Sequence, residues 1–283
     1  MDTASLYRLG VCFALAVFLL VVLEVSLRFF SKAPSLRQNE KEHNPASSLV
    51  HAADVVATLL IASTVAGSLD SDSVGKDLLH AALQGVAAEV LFLVCSRAQV
   101  RFFVASKLGG EIERGNVAAG AAAAGHSLAT GVLATTAVGS ETLRDVGISL
   151  VFFVLGQVAL LGLVALFRAL TVYDDAEEIL GENVAAGVSY AGIAVAISLL
   201  VARATEGDFT TWGQSLVAFA QVLAYAPLLY GVRQFVVGSV VLGNRPTLRG
   251  GALDKGIAAR SVGLAALEAA TYLGAALIVV RLP

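Results

Sequence analysis

The chain has 283 residues, 57% of them hydrophobic and 14% charged, with a mean hydropathy of +0.79. Soluble domains carry about 25% charged residues, so this composition excludes an ordinary water-soluble domain and points to a bilayer. The net charge of −3 supplies no basic field for nucleic acid.

Apolar segments of about 20 residues, enough to cross roughly 30 Å of hydrocarbon as helix, recur eight times. The first runs near Val11–Phe30. Arg8 precedes it as in a signal peptide, but Glu24 and Arg28 lie inside it and no small-x-small cleavage site follows, so a retained span is expected. The mixed-charge segment from Ser31 to Pro45 predicts a flexible loop that can dock a partner. Spans follow near Leu49–Leu69, Leu78–Ser96, Asn116–Val138 and Val146–Phe167. The acidic stretch Thr171–Glu182 predicts a short surface helix leading into a span near Asn183–Ala202. Leu216–Val237, interrupted by Pro227, is the seventh. A Gly-rich basic loop from Gly243, suited to anionic headgroups, leads to the eighth near Ile257–Val280. Cys12 and Cys95 fall inside spans and make no metal or redox spacing.

Alternate loops differ in basic residues. One side carries thirteen, including Arg28, Arg97, Arg101, Arg168 and Arg233, and the other five, Arg8, Lys76, Arg144, Arg203 and Arg281. By the positive-inside rule the rich side is cytoplasmic and both termini lie outside an inner, or plasma, membrane.

The pentapeptide Asn-Val-Ala-Ala-Gly occurs at Asn116–Gly120 and again at Asn183–Gly187, and related blocks begin at Val50 and Gly256. The odd-numbered spans repeat as well: Glu24-Val25, Glu89-Val90, Gln157-Val158 and Gln221-Val222. Two markers keeping a period of about 67 residues predict four helix hairpins. Each hairpin has two spans, so successive units insert the same way up, unlike inverted transporter repeats. The expected fold class is an all-α polytopic membrane protein of eight transmembrane helices built as four parallel-repeat hairpins. Residues 1–140 and 141–283 form its two halves.

The lead-in Glu111-Ile112-Glu113-Arg114-Gly115 before Asn116, echoed by Glu178-Ile179-Leu180-Gly181-Glu182 before Asn183, resembles the domain-of-unknown-function 350 family. The resemblance covers nearly the whole chain, as a duplicated form, and is degenerate in the first and last units. It implies a bacterial inner-membrane protein with no established activity, often encoded beside membrane-stress proteins and ATP-grasp enzymes of the polyamine type. Cytoplasmic stress-response partners are what that context implies.

Gly115-x4-Gly120 is no phosphate loop, because Ala121 and Ala122 stand where Lys and Ser/Thr are needed. Gly120 and Gly187 instead suit close helix packing, and Asn116 and Asn183 suit helix caps. Intramembrane ionisable groups are functional candidates by default. Glu24, Glu89, Gln157 and Gln221 are expected at one depth, where a closed fourfold ring would line a cation path; Arg28 is a structural partner for Glu24 one turn away. His126 and Glu268 break the repeat and are candidate proton-handling groups, with Tyr272 beside Glu268. In the repeat frame Asp54 and Arg260 hold equivalent places in the first and last units, so ring closure predicts an Asp54–Arg260 ion pair.

No catalytic triad, metal-ligand cluster or cofactor motif is present in the sequence. The expected function is non-enzymatic: permeation or transport of protons, cations or small polycations, with a homo-oligomer as a candidate assembly. The alternative is a non-transporting scaffold that docks partners of a stress response.

Overall fold

The computed structural model describes residues 3–30, 44–68, 74–103, 107–138, 142–245, 247 and 249–282. The remainder, including 31–43 of the expected flexible loop, lies outside the described residues. All regular structure among them is helical, and eight helices are long and apolar enough to cross a membrane. The long elements are α1 (Thr3–Phe30), α2 (Pro45–Gly67), α3 (Val74–Phe103), α5 (Val117–Thr135), α6 (Leu143–Ala169), α8 (Val184–Thr205) and α12 (Val262–Val279). Short helices α4 (Leu108–Glu113), α7 (Asp175–Leu180) and α11 (Ala252–Ala258) precede α5, α8 and α12. The seventh span is broken into α9 (Trp212–Leu223), α10 (Ala226–Arg233) and a π-helical stretch, Gln234–Val241. Pro227 cannot donate an amide hydrogen bond, which places the first break at Ala224–Tyr225.

Helix starts follow from capping chemistry. The Asn44 side chain accepts the Ser47 amide at 3.1 Å, with Pro45 at the first helical position. Asn116 accepts the Ala119 amide at 3.1 Å, and Asn183 accepts those of Ala185 and Ala186. Each cap also reaches the next unit. The Asn44, Asn116 and Asn183 side-chain amides donate to the carbonyls of Ile112, Ile179 and Ile257, each at 2.9 Å.

That recurring bond sets the structural register, and it corrects the sequence frame. The first unit begins at Asn44 rather than in the block at Val50, and the last at Ser261 rather than Gly256. Before three of the caps the chain turns through a left-handed residue: Gly115 at φ 89°, Glu182 at 63° and Arg260 at 66°. The cap amide then donates five residues back, to Glu111, Glu178 and Gly256, at 2.9 Å in each of these three units. Arg260 is therefore a turn residue equivalent to Gly115, whereas Asp54 lies inside α2 at the place His126 holds in α5. Ala-rich helices offer many Ala-Ala pairs, so that marker slipped while the cap did not.

The helices do not close into a ring. Among the described residues α2 packs on α5, α5 on α8 and α8 on α12, making an open central row. The flanking spans lie across its grooves: α3 over α2 and α5, α6 over α5 and α8, and the seventh span over α8 and α12. The core sits in the middle of the row, where the α5 and α8 spans are 78% and 72% buried against 22% for the first.

Glycine makes the row possible, because lipid drives no hydrophobic collapse between helices and contact must come from close backbones. A Cβ on Gly120 would strike Ala46, and one on Gly187 would strike Ala118. Five residues on, Gly125 abuts Ala191 and Gly192 abuts Ala269. The repeated pentapeptide thus touches the preceding helix, and the glycine after it touches the following one.

Candidate functional site

The predicted polar level is not one ring. Glu24 pairs with Arg28 at 2.9 Å across one turn of α1. Glu89 is fully buried on α3, where Oε1 accepts the Thr58 hydroxyl at 2.8 Å and Oε2 has no hydrogen-bond partner among the described residues. Gln157 is buried on α6. Gln221 is exposed on α9 and faces away from the bundle, so it belongs to no shared site. The flanking spans each rest on the central row, which keeps their polar residues apart.

The predicted Asp54–Arg260 pair is also corrected, because an open row holds the first and last units at opposite ends. Fully buried Asp54 instead accepts Arg97 Nη2 at 2.7 Å and the Ser127 hydroxyl at 2.5 Å. Arg260 donates to the Gly181 carbonyl at 2.8 Å. His126 is buried on α5, its ring centroid 6.5 Å from that of Tyr190.

Around Glu268 the structure assembles a network that the sequence reading missed. Arg233, 2% exposed, donates through Nε to Glu268 at 2.8 Å and through Nη2 to Asp254 at 2.5 Å. The other Glu268 oxygen accepts from the Ser189 hydroxyl, which itself accepts from Arg168 Nη1 at 2.9 Å. Arg168 also pairs with Asp175 and donates to the Tyr173 hydroxyl at 2.9 Å. Two guanidinium groups and three carboxylates thereby join α6, α7, α8, α10, α11 and α12. Tyr272, also buried, packs its ring 5.8 Å from that of Phe167. The alternation of basic loops counts Arg233 as a loop residue. The apolar run Phe235-Val236-Val237 and Val240-Val241-Leu242 after it was the signal that the span continues.

Two cavities open at opposite ends of α6. One, of about 480 Å³, is lined by Val164, Arg168, Tyr173, Asp175, Tyr190 and Arg249. The other, of about 700 Å³, is lined by Arg144, Asp145, Phe152, Glu206, Asp208 and Ser215 among others. Between them α6 presents Phe153, Gly156, Gln157 and Leu160, all buried. A Cβ on Gly156 would meet Val201 at 3.4 Å and Leu133 at 3.8 Å, so the septum is packed but contains one polar side chain.

The family model for DUF350, the Domain of Unknown Function (DUF350), matches residues 1–138 and again 141–282. The chain belongs to the DUF350 family. In this DUF350 protein the domain is duplicated, and each copy supplies two hairpins of the row. No curated protein and no solved structure matches the chain.

Proposed function

We propose that this multi-pass membrane protein is a non-enzymatic permeation or transport protein for protons or small cations, with its path along the α6–α8 interface. The observation that carries the proposal is the pair of cavities at opposite ends of α6, separated along the helix by one packed septum. From Phe152 to Leu161 the septum is roughly 13 Å of helix rise, short enough for a small rearrangement to join them. Asp145, Glu206 and Asp208 against Arg144 make the larger cavity acidic, which favours cations. The broken seventh span supports the same reading, since irregular backbone within a membrane occurs where protein or a cavity surrounds it. In the orientation expected from the positive-inside bias, the smaller cavity would face the cytoplasm and the larger one the opposite side of the membrane.

The alternative, a scaffold for stress-response partners, draws on the packed septum, which leaves the two cavities unconnected. Flux into liposomes separates the two. Wild-type vesicles should pass protons or a monovalent cation under an imposed potential, and Gly156→Leu should abolish the flux by filling the septum without touching either cavity. Vesicles that stay tight to every ion and voltage tried would sink the proposal and leave the scaffold.

A further inference from the structure

The open row has two ends, and they are complementary. Counting from the caps, each internal interface uses fixed places. The second residue after one cap meets the fourth of the next helix, as in Ala46 with Gly120 and Ala118 with Gly187. The ninth meets the eighth, as in Gly125 with Ala191 and Gly192 with Ala269, and the thirteenth meets the fifteenth, as in Ala57 with Gly131.

On α12 the second, ninth and thirteenth places are Gly263, Ala270 and Gly274. All three are exposed, and a Cβ added to either glycine would meet nothing within 4 Å. On α2 the fourth, eighth and fifteenth places, which no helix among the described residues covers, are Ser48, Ala52 and Leu59. These are exposed too. The row thus exposes one half of its own interface on α12 and the other half on α2, with small residues meeting at two levels and Leu59 opposite Gly274 at the third.

A second observation concerns α1. Every other flanking span lies across two helices of the row, whereas among the described residues α1 packs on one row helix, α2, and on its neighbour α3. The groove it would straddle lacks its far wall.

We infer that α12 of one copy docks against α2 of a second copy, beneath α1, extending the row head to tail. The contact pairs Gly263 with Ser48, Ala270 with Ala52 and Gly274 with Leu59. Such a heterologous interface yields a closed ring where its rotation closes and a filament where it does not. The inference stands apart from the permeation proposal, since either can fail alone.

Disulfide trapping in native membranes tests it. In a Cys12→Ala/Cys95→Ala background, Ala52→Cys in one tagged chain and Ala270→Cys in a differently tagged chain should oxidise to a mixed dimer. Ser48→Cys with Gly263→Cys should do the same. Val154→Cys, on the exposed face of α6, should form none with Ala270→Cys. Ala270→Leu should cut the Ser48/Gly263 crosslink severalfold with the melting temperature unchanged, because that side chain points out of the protomer. Self-crosslinking of Ala270→Cys in preference to the mixed pair would mean a symmetric α12 dimer and overturn the inference. Absence of both crosslinks, with single photobleaching steps in nanodiscs, would mean that lipid covers the two faces and would equally overturn it.

Discussion

The two halves of the molecule share one backbone plan and handle buried charge differently. In the first half Asp54 pairs with Arg97, which is 34% exposed and keeps part of its hydration. In the second, Arg233 and Arg168 are 2% and 7% exposed and are held by carboxylates from three other helices. A guanidinium withdrawn from water must have its donors satisfied, because desolvation costs several kcal/mol per ion. Where one partner suffices the arginine stays at the surface; where it goes inside, it takes a network with it. The network adds to the glycine and alanine contacts of the row, since Ser189 and Glu268 join α8 to α12 where Gly192 also meets Ala269.

The comparison breaks most sharply at Arg233. Arg233→Leu leaves Asp254 and Glu268 buried without their cation and should cost about 3–5 kcal/mol, read as a large fall in melting temperature in detergent. Asp54→Asn should cost only about 1–3 kcal/mol, since Arg97 can turn to water. Equal losses for the two would erase the distinction between the halves.

Packing should treat the halves alike. Gly125→Ala and Gly192→Ala each force a neighbouring alanine aside and should lose about 1–3 kcal/mol. Gly162→Ala, whose Cβ meets nothing within 4 Å, should gain up to about 1 kcal/mol from helix propensity. Thermal melts of the three variants check the contrast.

Asn116→Ala and Asn183→Ala should each lose about 1–2 kcal/mol through the cap. Both also lose the bond to the next unit, so protease nicking should appear first at the loop that each cap holds.

The smallest effect is a dependence on pH. Hydrogen bonds from Arg114 and Asn116 hold the Glu111 carboxyl below its usual range. Because the folded value is depressed, the stabilisation is present above the ordinary carboxylate range and disappears as pH falls through the folded value. Glu111→Gln should flatten the acid limb of a stability–pH curve while leaving the neutral region nearly unchanged. An acid limb that keeps its shape would assign the loss to other carboxylates.

The spans, the hairpin repeat and the packing role of Gly120 and Gly187 were legible because hydropathy, caps and small residues are local signals. The network was not. Arg233 lies 21 residues from Asp254 and 35 from Glu268, and each residue alone reads as loop charge or lone acid. Asp54 and Arg260 show the opposite failure: a match in sequence frame stood in for proximity, and the true register rested on Asn44, hidden beside Pro45 at the end of a polar segment.

Sequence alone determined that this chain crosses a membrane eight times as a duplicated DUF350 domain, because about 20 apolar residues and a recurring cap carry that information within each unit. Only the tertiary structure decided that the units form an open row and not a ring. Closure depends on the angle between neighbouring helices, which is set where Gly120 meets Ala46 and Gly125 meets Ala191. Those contacts bring together residues far apart in the chain, and their geometry is written in neither helix separately.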